Sequence, residues 1–406
     1  MNNIKITPGF RSGVIAVPPS KSLTHRALIC AALCENNENN IINMDLSQDI
    51  CATTEALKIL KNSGSIINCR ESGSTLRFLM PVAAALGVNA IFTGEGRLPE
   101  RPISIYQNLF VDKGVTLQLN NGGLPAKISG KLQSGKFYIP GNITSQFITG
   151  LLFALPLIDG DSRIILTSVL ESEPYINITV DVLNAFGVIV NKNKTGYAVK
   201  GGQKYKSTNF KIEGDYSQAA FFACAAAING DIKICGLNGA SSQGDFKIIE
   251  ILQEFGVNID FHENVLYVRK GENLRGIKID GAQIPDIAPV LAVVAAYAQG
   301  ETVIYNAGRL RLKESDRIRA VYEMLTAIGA DVHETSDGLI INGGEKLRGG
   351  FVKSFNDHRI AMSAAVAAVG TIDGVTIDNM ACINKSYPGF LRDFERLNNK
   401  GSIYIN

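Results

Sequence analysis

Residues able to hold small anions recur in this chain at the entries to apolar stretches. The first set is Pro18-Pro19-Ser20-Lys21-Ser22-Leu23-Thr24-His25-Arg26-Ala27-Leu28, a strand exit running into an apolar helix. The Lys21 ammonium sits at the helix mouth, and Ser22 and Arg26 lie four apart on one helical face. Free backbone N–H groups at a helix start, together with these cations, suit phosphate or carboxylate. A capped surface helix needs only one such polar residue, yet the excess returns further along. Glu71-Ser72-Gly73-Ser74-Thr75-Leu76-Arg77 offers hydroxyls and close backbone approach at Gly73. Gly141-Asn142-Ile143-Thr144-Ser145-Gln146 is composed almost wholly of groups that read hydroxyls and phosphate. Asp215 with Tyr216 and Ser217, then Asp286, then Asn356-Asp357-His358-Arg359 open three more apolar stretches.

Further cations stand in links: Gly96-Arg97-Leu98-Pro99-Glu100-Arg101-Pro102, then Arg309 to Arg317, then Asn384-Lys385-Ser386-Tyr387-Pro388. Lys313 and Arg317 share helical spacing, with Glu314 between them. A carboxylate beside two cations ionises easily, so proton transfer by Glu314 requires burial or a bound anion to raise its pKa.

Two helix types must position these residues. One is charged and amphipathic and ends in Gly ahead of an apolar strand: Thr54 to Gly64, Ile103 to Gly114, Ile176 to Gly187, Phe246 to Gly256, Arg317 to Gly329, and Leu391 to Gly401. The other is apolar nearly all round and predicted to be buried: Ala27 to Cys34, Leu76 to Leu86, Phe147 to Leu157, Ala219 to Ile228, Ala288 to Ala298, and Ile360 to Val369. With short β-branched runs between them they form six units of roughly 70 residues, hence an α/β fold of two domains with three units each. The predicted division is 1–20 with 215–406 for one domain and 21–214 for the other, the first strand, Ile4 to Val17, joining the C-terminal set. The first unit is short near 65–70, where the spacing leaves no room for a β-hairpin.

Composition bounds the function. The chain has 406 residues, 46% hydrophobic and 19% charged, with a net charge of +2, so any anion site comes from locally gathered cations. Nucleic acid is disfavoured by that balance. Seven scattered cysteines lack disulfide or zinc spacing and read as reduced thiols. His25, His262, His333 and His358 do not cluster, so no metal is implied. The apolar runs are broken by Gly or charge, and the N-terminus has no signal core, pointing to a cytoplasmic protein off the membrane.

With these residues assembled, the chain resembles the 3-phosphoshikimate 1-carboxyvinyltransferase (EPSP synthase) family over essentially its whole length. The Ser-Lys-Ser-x-x-x-Arg, Arg-x-x-Glu-Arg-Pro, Lys-Glu-Ser-Asp-Arg and Asn-Asp-His-Arg motifs occur in family order. The resemblance implies a two-domain, inverse α/β barrel-like fold of βαβαββ units with its active site in the interdomain cleft. It also implies that Lys21, Ser22, Arg26, Thr144, Ser145, Gln146, Ser172, Asp286 and Lys313 bind shikimate 3-phosphate. Lys21, Gly73, Arg101, Gln146, Arg317, Arg359 and Lys385 would hold phosphoenolpyruvate, with no cofactor, and a monomer is expected. Three residues depart from the family pattern: Thr144 for a Ser, Arg309 for an Asn, and Phe78 for a Pro after the Gly73 loop. The implied reaction adds the 5-hydroxyl of shikimate 3-phosphate to C2 of phosphoenolpyruvate and then eliminates phosphate. Asp286 would accept the hydroxyl proton, and Glu314, aided by Lys21, would deliver and remove the methyl proton. Transfer to a UDP-linked amino sugar is the nearest rival, but Gly94 to Pro102 lacks the Cys that family carries. A phosphate- or RNA-end-binding protein would want a basic stripe with interleaved aromatics, which is absent.

Overall fold

Helices built from Ala, Leu, Val, Ile and Phe on every face need enclosure all round, and the chain supplies it in two groups of three. The computed structural model describes residues 3–36, 39–62, 65–398 and 403–405. It divides into a discontinuous unit, Met1–Ser20 with Glu213–Asn406, and a continuous unit, Lys21–Ile212, each with its own hydrophobic core. Glu213 and Gly214 go with the discontinuous unit, which places the crossing two residues earlier than the sequence reading. Their backbones are held there, Glu213 O accepting from Ser20 N at 2.8 Å and Gly214 N donating to Gly236 O at 2.8 Å.

The continuous unit contains α1 (Lys21–Leu33), α2 (Gly73–Leu86) and α3 (Ser145–Ala154). The discontinuous unit contains α4 (Tyr216–Asn229), α5 (Ala288–Tyr297) and α6 (His358–Ala367). Several of these begin earlier than hydrophobicity alone suggests, at the polar residues themselves. The reason is capping: Ser72, Thr144, Asp215 and Asp357 each accept a first-turn backbone N–H, from Thr75, Gln146, Gln218 and Arg359. These polar mouths are therefore the caps and first turns of their helices, whereas Asp286 lies two residues before α5.

The amphipathic helices run Gln48–Lys61, Ile105–Phe110, Glu173–Ala185, Ile248–Glu254, Arg317–Ala327 and Phe390–Arg396. Gly187 takes the left-handed conformation after Glu173–Ala185, at φ +76°. Gly64 and Gly401, expected to end the first and last of this set, lie outside the described residues.

Among the described residues five sheets have four strands, each a parallel pair extended by two antiparallel strands. The last is completed by the chain's beginning, Ile4–Ile6 pairing antiparallel with Val375–Ile377 and with Ile403–Ile405. Among the described residues the sixth sheet is only the parallel pair Asn40–Ile42 and Asn209–Lys211. Between Gln48–Lys61 and α2 the one strand among the described residues, Ile66–Asn68, pairs with Ala90–Thr93 of another sheet. Leu28, Ala31, Ala32 and Leu33 of α1 are half-buried, whereas α6 is buried from end to end.

Candidate active site

In the discontinuous unit the site is organised by one guanidinium. Arg317 opens the helix Arg317–Ala327 and is 1% exposed. Its Nε donates to Asp357 Oδ2 at 2.8 Å, its Nη1 to Asp286 Oδ1 at 3.0 Å and its Nη2 to Glu314 Oε2 at 2.8 Å. Burial alone lowers the Arg317 pKa; Asp357, Glu314 and Asp286 outweigh it and raise the pKa, so the cation is locked in. The second Asp286 oxygen lies 3.4 Å from Arg359 Nη2. Burial pushes the Asp286 carboxyl up, but Arg359, Lys313 and Arg317 together hold it well below the usual carboxylate range. Burial also pushes the half-buried Lys313 ammonium down to about 8, against the pull of Asp286 and with Arg317 and Arg309 adding to the shift.

Arg359 is 3% exposed, donates through Nη1 to Ser217 O at 3.2 Å and stacks over Phe221. Lys385 Nζ donates to Asn356 O at 2.6 Å. Phe355 and Asn356 both have positive φ, +54° and +53°, a conformation that costs non-glycine residues energy and that functional turns often hold. Asp286, Lys313, Glu314, Arg317 and Arg359 thus form one cluster, and Lys385 is tied to the turn that leads into α6.

In the continuous unit the structure ties Gly73, Ser74, Arg77, Arg101 and Gln146 into a second cluster. A Cβ on Gly73 would fall 2.8 Å from Nη1 of both Arg77 and Arg101, so glycine lets two guanidinium groups lie against the first residue of α2 where any side chain would displace them. Gln146 accepts from Arg77 Nη1 at 2.7 Å and donates to Ser74 Oγ at 3.0 Å. Thr144 caps α3, and Ser145 follows as its first residue, 6% exposed. Arg26 is set apart from that group: it donates to Ser22 O, Tyr175 O and Thr179 Oγ1 at 2.6, 2.9 and 2.8 Å. Lys21 Nζ pairs with Asp49 Oδ2 at 2.7 Å. Ser172, 3% exposed, holds a left-handed φ of +55° immediately before Glu173–Ala185.

The sequence profile of the EPSP synthase (3-phosphoshikimate 1-carboxyvinyltransferase) family matches residues 7–66 and 60–394. The chain belongs to the EPSP synthase family. A 3-phosphoshikimate 1-carboxyvinyltransferase of Clostridium kluyveri is 45% identical over 417 residues, covering 98% of this chain and 97% of the relative. One of Clostridium novyi is 43% identical over 426 residues, covering 98% of each chain. A solved EPSP synthase from Acinetobacter baumannii superposes with a TM-score of 0.82 at 26% identity, covering 100% of both chains. The enolpyruvyl transferase NikO from Streptomyces tendae shares the fold, with a TM-score of 0.78 at 16% identity over 100% of this chain and 99% of that one.

Within this chain, three side chains that the sequence reading left outside the site belong to its clusters. Asp357 is fully buried and accepts from Ser315 Oγ, Arg317 and Arg359 N. Arg77 sits four residues after Gly73, the offset that separates Ser22 from Arg26, a signal available from the repeat. Asp245 is hydrogen-bonded to Ser217 Oγ and pushed up to about 7 by burial and then by Asp286, with Ser217 and Arg359 opposing. Among the described residues no group of three His, Cys, Asp or Glu is arranged to hold a metal ion, and no helix is long and apolar enough to cross a membrane.

Proposed function

We propose that this chain transfers the 1-carboxyvinyl group of phosphoenolpyruvate to the 5-hydroxyl of shikimate 3-phosphate and releases phosphate, as a monomer in the cytoplasm. The observation that carries the reading is the family's match to nearly the whole chain, in which one buried guanidinium grips the two carboxylates that the reaction needs. Asp286 accepts the proton of the 5-hydroxyl as its oxygen bonds to C2. Glu314, with Lys21, gives a proton to C3 and later takes one back as the C2–O bond to phosphate breaks. In the resting protein Asp286 is a weak base because three cations hold it low. A bound anion that draws on Lys313 and Arg359 relaxes that hold and raises its basicity.

Lys21, Ser22, Arg26, Thr144, Ser145, Gln146, Ser172, Asp286 and Lys313 are assigned to shikimate 3-phosphate. Lys21, Gly73, Arg101, Gln146, Arg317, Arg359 and Lys385 are assigned to phosphoenolpyruvate. Support for the second set comes from the paired guanidinium groups at Gly73, which suit a small, multiply charged anion. Phosphate release from purified protein with phosphoenolpyruvate and each acceptor tests the assignment. Turnover is expected with shikimate 3-phosphate; turnover only with a UDP-linked amino sugar, or binding only to RNA oligomers, overturns it.

A further inference from the structure

A carboxamide has one accepting end and one donating end, and in this protein a single neighbour decides which way Gln146 faces. Gln146 Oε1 is taken by Arg77 Nη1 at 2.7 Å, which leaves Nε2 to donate to Ser74 Oγ at 3.0 Å. Two N–H groups sit on Nε2, so a second donor remains beside the first turn of α2. Turning the amide over would set N–H against N–H at Arg77 and bring a carbonyl oxygen toward the anion-holding turn. The guanidinium cannot swing to accommodate that. Arg77 is 2% exposed, its Nη2 donates to Pro102 O at 3.1 Å, and its plane lies over Phe147. Nη1 of the same fork lies 2.8 Å from where a Gly73 Cβ would be.

We infer that Arg77 is a positioning residue for the phosphoenolpyruvate anion, acting through Gln146 by holding its Nε2 as a donor at the entrance of α2. This rests on the function proposed above and adds to it a residue that acts by orienting another. Lysine at 77 keeps the charge but has no planar fork to serve both Gln146 Oε1 and Pro102 O.

The test is a double-mutant cycle of Arg77→Lys and Gln146→Ala, with KM and kcat measured for both substrates. Arg77→Lys alone is expected to raise the KM for phosphoenolpyruvate about tenfold, with kcat changed less than about threefold and the KM for shikimate 3-phosphate, to which Gln146 is also assigned, rising in the same direction. In the Gln146→Ala background the same change should alter the KM for phosphoenolpyruvate less than about twofold. Full additivity, or an unchanged KM in the single variant, overturns the inference. Gln146→Glu supplies a second reading should Arg77→Lys not fold: it keeps the Arg77 partner but has no donor end, so it should bind phosphoenolpyruvate worse than Gln146→Ala. A Glu variant equal to or better than the Ala variant rejects the orienting role. Absence of turnover in the parent protein rejects the proposed function instead.

Discussion

Arg317 Nε meets Asp357 Oδ2 at 2.8 Å with the two side chains 1% and 0% exposed, and this pair joins segments 40 residues apart in the chain. Asp357 also caps α6 through Arg359 N. The bond therefore fixes the start of one helix against the cap of another while Arg317 presents its remaining N–H groups to Asp286 and Glu314. Positioning of the two candidate proton-transfer groups and stability of the unit come from the same contact.

Breaking the pair takes one of three carboxylates from a buried guanidinium and leaves its Nε without an acceptor. Asp357→Ala is expected to cost about 3–5 kcal/mol of stability, measured from urea midpoints. Asp357→Asn restores the cap, about 1 kcal/mol, without the ion pair. A loss below about 1 kcal/mol in the Ala variant contradicts the role given to this contact.

The proton-transfer assignment is tested by isosteric neutral substitutions. Asp286→Asn and Glu314→Gln should each lower kcat by about 100-fold or more while the protein remains folded by circular dichroism. Turnover within about tenfold of the parent removes that residue from the catalytic list.

Lys313 gives the protein an alkaline limit. Its pKa in the folded state, about 8, lies below the ordinary 10.5, so between those values the unfolded chain holds more protons. Stability therefore rises with pH across that window, while the cation available to a phosphate is lost. The account predicts that kcat/KM for shikimate 3-phosphate falls as pH passes about 8, and that Lys313→Arg moves the fall to higher pH. A flat profile to pH 10 in the parent contradicts it.

Asp245 has the opposite sign. Burial and then Asp286 raise its pKa from 3.8 to about 7, so folding favours its protonated form. Its contribution is fully present below the unfolded value and is lost as pH rises through about 7. Asp245→Asn, which mimics the protonated carboxyl, should raise Tm more at pH 8 than at pH 5. Equal shifts at both pH values would remove the buried-charge account of this residue.

Much of the frame is legible in the sequence because it rests on local rules. Helices without a polar face, such as α4 to α6, announce burial, and the few residues between Lys61 and Gly73 leave no length for two more strands. Helix starts are less legible, since hydrophobicity marks where α1 becomes apolar and not where Lys21 begins it. The site is legible as residue types but not as partners. Asp357 reads locally as a cap, and only the fold brings it to Arg317; the Ser217–Asp245 bond spans 28 residues, and the Arg77–Gln146 bond spans 69. No periodicity encodes such pairings.

The central claim is addition of the acceptor to C2 with protonation of C3, then elimination through a transient methyl group. It is tested most directly by running the reaction in D2O and recording the mass of the enolpyruvyl product. The account predicts deuterium at the vinyl carbon of product and of recovered phosphoenolpyruvate, in the latter only when shikimate 3-phosphate is present. Phosphate release with product that carries no deuterium would contradict it.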